Sequence, residues 1–191
     1  MIARRAARLI TDVLAPANVL IGLFILVGWQ ADGIRGVMWG VAAALVCAGL
    51  PFGVVLAGVR RGWWTDVHVR IRSQRMVPLL VAIGTDLAGL GLLAAARAPR
   101  PLIALALAVL CGLVLGLAIT TAWKISGHTG VAGAAVTVLA ATYGPWLLVG
   151  LPALAIIGWA RVASGDHTLA QVVGGLLLGT AVCCAVFIPL H

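Results

Sequence analysis

The chain has 191 residues, 63% of them hydrophobic and only 9% charged, with a mean hydropathy of +1.16. These values exclude an ordinary soluble domain and fit a polytopic helical membrane protein. The net charge of +8 would suggest nucleic acid in a soluble protein. Here the arginines sit between apolar runs, where membrane-flanking charge and attraction to anionic headgroups account for them, so no nucleic-acid partner is expected.

The basic start, Met1 to Arg8, followed by an apolar run, has the look of a signal peptide. Asp12, Pro16 and Asn18 interrupt that run and no small-x-small cleavage site follows, so an uncleaved first membrane helix is expected. Seven apolar segments follow in order, at 13–29, 37–59, 77–96, 101–122, 128–143, 145–160 and 167–189. The fifth and sixth are short, about 24 Å each as helices, and meet at Tyr143-Gly144-Pro145, a turn signal. They form either two crossings or one re-entrant pair. The expectation is an all-α transmembrane bundle of six to seven spans, one domain over 1–191, with a two-helix extension at 1–59 and a core at 60–189. The seven tryptophans (29, 39, 63, 64, 123, 146 and 159) fall at segment ends, as an interfacial aromatic belt does. Cys47, Cys111, Cys183 and Cys184 lie inside apolar runs without CxxC spacing and read as lipid- or core-facing residues, neither metal ligands nor disulfides.

With seven crossings, the connections 60–76, 122–128 and 160–167 share one side with the N-terminus. Of the 13 basic residues only Arg35, Arg97 and Arg100 fall on the other. The positive-inside rule would make the basic side cytoplasmic, although Arg70, Arg72, Arg75, Lys124 and Arg161 are also candidates for chemistry. His68, His128 and His167 occupy the three same-side connections; His191 reads as a solvated tail.

The polar islands have a common chemistry. Around 123–130 lie the only lysine, Lys124, then Ser126, Gly127 and His128: a cation, backbone N–H groups open to an anion, and an imidazole, the components of a phosphate site. Drawn as a helix, 66–75 puts His68, Arg72 and Arg75 on one face, and arginine presents a planar fork to phosphate oxygens. In the third connection Gly165 breaks the chain, Asp166 reads as an N-cap or exposed acid, and Gln171 lies one turn beyond His167, within reach of its ring. Asp86, mid-membrane, is too deep to touch the same phosphate; it reads as a functional suspect or as bonded to Thr85, Thr120 or Thr121.

These residues resemble the type 2 phosphatidic acid phosphatase superfamily of membrane lipid phosphatases, related to acid phosphatases and vanadium haloperoxidases. Ser126-Gly127-His128 is similar to its Pro-Ser-Gly-His motif, and Arg161, His167 and Gln171 to Ser-Arg-x5-His-x3-Asp. His68 and Arg75 match Lys-x6-Arg-Pro in part. The departures are His68 for lysine, Met76 and Ile125 for prolines, Ala160 for serine and Gln171 for the orienting aspartate. The resemblance implies that His167 attacks phosphorus, that His128 serves as acid and then base, and that Arg75, Arg161 and the backbone at Gly127 hold the oxygens, without metal or cofactor. Lys124 could supply the charge His68 lacks, and Asp166 could stand in for the missing aspartate. A lipid phosphate, of phosphatidic acid or prenyl pyrophosphate type, is the expected substrate, and a bacterial plasma membrane the expected location. The alternatives are a weakened or inactive relative that binds lipid headgroups and a lipid phosphotransferase; a transporter ranks last.

Overall fold

Apolar runs of this length satisfy their backbone polar groups internally, as helices. The computed structural model describes residues 2–191, with side chains from residue 5 onward, and is helical with no strands among them. Met1 and the side chains of residues 2–4, the first part of the leader-like stretch, lie outside the described residues.

The first helix is not the first membrane segment. α1 (Ile2–Val13) is a separate amphipathic helix, ended before Pro16, which opens α2 (Pro16–Ala44). α2 is a hairpin of two antiparallel arms, broken at Asp32 and Gly33. Gly33 turns the chain at a φ of +53°, a conformation glycine adopts without strain. The arms meet backbone to backbone: a Cβ on Gly36 would lie 1.8 Å from the Gly28 carbonyl oxygen. Small residues permit such contacts in membrane bundles. The second arm continues through a π-helical turn, Leu45–Gly49, into α3 (Leu50–Arg60). Pro51 explains the widening, since its ring would otherwise meet the carbonyl one turn back. A second π-helical turn, Cys183–Phe187, precedes Pro189 in the same way.

α4 (Met76–Ala95) and α5 (Arg100–Ala122) form the next antiparallel pair. α6 (Gly127–Tyr143) follows, then a 3-10 turn at Pro145–Gly150, α7 (Leu151–Ala163), α8 (Leu169–Val182) and the short α9 (Ile188–Leu190). Tyr143 Oη donates to the Leu26 carbonyl at 2.7 Å, near the tip of the α2 hairpin. α6 therefore reaches the end of the bundle opposite its start, and α6 and α7 cross the bundle rather than turning back midway. Five stretches are long and apolar enough to span a membrane. The first, Pro16–Arg60, contains the hairpin and counts twice; α6, at 17 residues, supplies the seventh crossing. One apolar core joins α2 to the rest, packing Phe24 and Val27 with Leu102, Leu105, Val138 and Phe187.

One expectation is corrected. Residues 66–75 form no continuous helix but an irregular loop ending in a 3-10 turn, Arg72–Gln74, so His68, Arg72 and Arg75 share no helical face. His191 is exposed, as expected of a solvated tail, and its ring also stacks on buried Phe187 at 4.8 Å.

α6 and α8 make the most extensive helix pair, because a Cβ on Gly179 would sit 1.8 Å from the Gly130 carbonyl oxygen. Overpacking of this kind costs about 1–3 kcal/mol. Gly179→Ala should lower the thermal midpoint of the detergent-solubilised protein by several degrees. Gly22→Ala, where nothing lies within 4 Å, should leave it unchanged.

Candidate active site at one membrane interface

The three same-side connections converge, and backbone contacts between α6 and α8 set the geometry. Ser126 caps α6, accepting at long range from the Thr129 N–H, and its own N–H donates to the Gln171 carbonyl at 3.2 Å. Thr129 Oγ1 donates to the Val172 carbonyl at 2.8 Å. A Cβ on Gly175 would meet the Ser126 carbonyl oxygen at 2.3 Å, so only glycine fits between the two helix starts. His128, in the first turn of α6, and His167, just before α8, are both buried and line one cavity.

Gln171 does two things with one oxygen. Its Oε1 accepts from the Thr168 N–H at 3.2 Å, closing a capping box at the start of α8, and lies 3.1 Å from His167 Nδ1. The carbonyl-type oxygen can only accept, so His167 donates from Nδ1 and its Nε2 keeps the lone pair. That is the tautomer a nucleophile requires. Asp166 does not take the orienting role: its carboxylate lies 3.1 Å from Arg161 Nη1 and 3.2 Å from Arg70 Nε, while Gln171 holds His167 Nδ1.

The cations are fixed by backbone carbonyls. Arg75 donates to Val69 (2.8 Å) and Ile125 (2.9 Å), and Lys124 to Asp166 (2.6 Å). Arg72 instead donates to the Ala122 carbonyl at 2.6 Å, satisfying the end of α5 outside the pocket. Arg161 is 1% exposed, and Gly165, at a φ of +74°, bends the chain so that the N–H groups of Asp166 and His167 both reach the Arg161 carbonyl. His68 stands edge-on to His128, ring centroids 5.2 Å apart. Three buried nitrogens here, Arg70 Nε, Arg161 Nε and His128 Nε2, have no hydrogen-bond partner, and of these Arg70 Nε is ion-paired with Asp166. An unsatisfied buried polar atom is costly and calls for an explanation.

Burial, reinforced by Arg161, Arg75 and Lys124, pushes the His167 pKa down from 6.5 to about 3. Burial and the neighbouring arginines also lower that of Lys124, against the opposing pull of Asp166. His167 is therefore neutral at physiological pH.

The cavity, about 360 Å³, continues from these residues into the bundle. Thr120 and Leu105 both line it, fifteen residues and hence about 22 Å apart along α5. That reaches past one leaflet's hydrocarbon, about half of 30 Å. The deeper walls are apolar, ending near Cys47, Leu105 and Cys183. Asp86 lies outside the lining, fully buried, and both carboxylate oxygens lack a hydrogen bond. Thr85, Thr120 and Thr121 bond carbonyls of their own helices instead.

Every residue singled out for phosphate binding or catalysis thus lies at this end of the bundle, and His68, Arg75, Ser126, Gly127, His128, Arg161 and His167 line the cavity. Sequence reasoning missed Thr11 and Asp12, which reach the site from α1: Arg161 Nη1 lies 3.4 Å from Thr11 Oγ1, and His68 Nε2 lies 2.8 Å from Asp12 Oδ1. The polar arc of α1 was the signal that could have found them.

Fold and site together define an integral membrane helical protein with a cavity lined by buried arginines and histidines at one end of the bundle. Residues 120–189 match the family model described as the PAP2 superfamily, which supports membership of the type 2 phosphatidic acid phosphatase superfamily, a membrane phosphatase-type family. The matched stretch carries Lys124, Ser126, Gly127, His128, Arg161, His167 and Gln171; the loop bearing His68 and Arg75 precedes it. No curated protein and no solved structure matches the chain.

Because protonation of His167 is disfavoured in the folded state alone, the stability it contributes is fully present above pH 6.5 and is lost as pH falls toward about 3. Histidine NMR of the protein in nanodiscs should show one ring, absent in His167→Ala, that does not titrate between pH 5 and 8. A normal titration near 6.5 for that ring would contradict the buried, cation-flanked environment.

Proposed function

We propose that the chain is a lipid-phosphate phosphatase working through a phosphohistidine on His167. The observation that carries this reading is the surplus of fixed positive charge at the mouth of an apolar cavity. Arg70, Arg75, Lys124 and Arg161 surround the histidines, with Asp12, Asp66 and Asp166 to balance them, four cations against three carboxylates. Burying cations without counter-charge is unfavourable, and a phosphate supplies the missing charge at the point where Arg161 Nε and His128 Nε2 lack partners.

In the proposed reaction His167 Nε2 attacks phosphorus, a P–N bond forms and the bond from phosphorus to the lipid oxygen breaks. His128, protonated on both ring nitrogens once the phosphate dianion is bound beside it, gives its Nε2 proton to that leaving oxygen and becomes neutral. A water then loses its proton to His128 and attacks phosphorus, breaking the P–N bond and releasing phosphate. Arg75, Arg161, Lys124 and the N–H groups at the start of α6 hold the equatorial oxygens, where fixed donors are most effective. Gln171 orients His167 but offers no charge to the imidazolium that forms.

The decisive assay is phosphate release by the purified protein from a panel of lipid phosphates and pyrophosphates, with EDTA present. His167→Ala should lower turnover at least about a thousandfold. Gln171→Glu keeps the reach and the capping box while adding the charge, and should raise turnover about tenfold, one to two kcal/mol of imidazolium stabilisation. Lipid phosphates that bind wild type without turnover, with Gln171→Glu also silent, would leave a headgroup-binding relative as the reading.

The cavity makes a separate prediction. Gly112 lines it and a Cβ there meets nothing within 4 Å. Gly112→Leu should raise KM for lipid phosphates about tenfold, as expected for displacing a few methylene contacts. Hydrolysis of a short water-soluble phosphate ester should be unaffected; equal loss on both substrates would place the tail elsewhere.

A further inference from the structure

α1 divides cleanly around its axis. Leu9, Ile10, Val13 and Leu14 lie on one arc, and Arg5, Arg8 and Asp12 on another. Leu9 and Val13 remain 64% and 58% exposed, although no protein partner covers them, while Arg5 and Arg8 are also exposed. That pattern belongs to a helix lying in the membrane interface, its apolar arc in lipid and its arginines among headgroups. Between the arcs, Ala7 and Thr11 are buried where α1 docks on α7.

The last turn of this helix contacts residues that line the cavity. Thr11 Oγ1 accepts from Arg161 Nη1 at 3.4 Å, and the Thr11 backbone faces the His128 ring. Asp12 Oδ1 accepts from His68 Nε2 at 2.8 Å. His68 is held on its other side as well. Its N–H donates to Asp66 Oδ1 at 2.9 Å. The next residue, Val69, is buried at a φ of +44°, an unfavourable conformation for a β-branched residue, and its carbonyl receives Arg75 Nε. A strained, cross-braced loop of this kind persists where its surroundings over-determine it, and such places cluster at functional sites. Here it presents His68 to His128.

We propose that Thr11 and Asp12 are positioning residues of the anion pocket, Asp12 by holding the His68 ring against His128 and Thr11 by holding Arg161, so that the pocket is complete only with α1 docked at the interface. The inference rests on the reading of the pocket as a phosphate site, but not on turnover.

Charge alone predicts the opposite sign for Asp12, and this makes the inference testable. A carboxylate near an anion site repels the anion, so a mere surface charge would, when removed, tighten phosphate binding. Loss of a positioning contact weakens it. Isothermal titration of the full chain in nanodiscs with inorganic phosphate is the measurement. Asp12→Ala should weaken binding about tenfold. Asp12→Asn still accepts the Nε2–H and should recover most of that loss, which a folding defect would not allow. In a His68→Ala background, Asp12→Ala should change nothing further, since its partner is gone. Unchanged or tighter binding in Asp12→Ala, or an equal loss with and without His68, would overturn the inference. Asp12-dependent phosphate binding in a protein that turns over no lipid would remove the phosphatase reading and leave this one standing. Turnover that depends on His167 and ignores Asp12 would do the reverse.

Discussion

The site depends on how closely the first turns of α6 and α8 approach. Gly130, Gly175 and Gly179 let backbone touch backbone, and the polar groups freed at the two helix starts bond across the gap: Ser126 N–H to Gln171, Thr129 Oγ1 to Val172. In a bilayer no water is available to satisfy those groups, so the crossing and its hydrogen bonds support each other. One histidine rides on each helix start. Their relative position therefore follows from main-chain contacts, which vary little, and not from long side chains. The cations around them are held in the same manner, each donating to a carbonyl of a different connection.

Gln171 shows how a single residue can be constrained by two demands. As the third residue of α8 it completes a capping box, for which Glu and Gln are suited and Asp is less so. As the partner of His167 it fixes the tautomer. A glutamine meets both without adding a further carboxylate among the cations. The negative charge that is present, on Asp12, Asp66 and Asp166, is directed to His68, Arg70 and Arg161. The pocket thus keeps its positive balance, while the imidazolium that catalysis would create goes without a carboxylate at Nδ1.

Much of this was legible in the sequence, and the rest was not for identifiable reasons. Apolar runs and terminal tryptophans marked the crossings because a bilayer imposes a length. The motif spacings placed Lys124, His128, Arg161 and His167 together because each sits at the end of a membrane-length helix, where register error is small. Residues 66–75, drawn as a helix, form a loop: their alternation of valine, isoleucine and arginine fits several periods, and nothing local reveals that Asp66 caps a turn or that Val69 takes a positive φ. α1 was merged with the span after it because Leu14 and Ala15 continue the apolar run, and only the preference of Pro16 for a helix start separates the two. Its contacts with the site join residues more than fifty positions apart, a distance over which local pattern carries no information.

Under the proposed function, the cavity and α1 solve complementary halves of one problem. A lipid phosphate presents an apolar tail and a doubly charged head, and a single pocket must desolvate one while neutralising the other. Below the histidines, glycine and alanine on α5, α6 and α8 leave a slot that reaches past one leaflet. Above them the chain needs cations that water cannot screen, and burial achieves this only if something covers them. A membrane-spanning helix cannot do so, because its polar end would have to leave the pocket for solvent. A helix lying in the interface can: one arc rests in lipid, another faces headgroups, and the narrow strip between them, Ala7 and Thr11, closes over Arg161. The amphipathic start of this chain is thereby the piece that lets a fully buried arginine sit at a membrane surface.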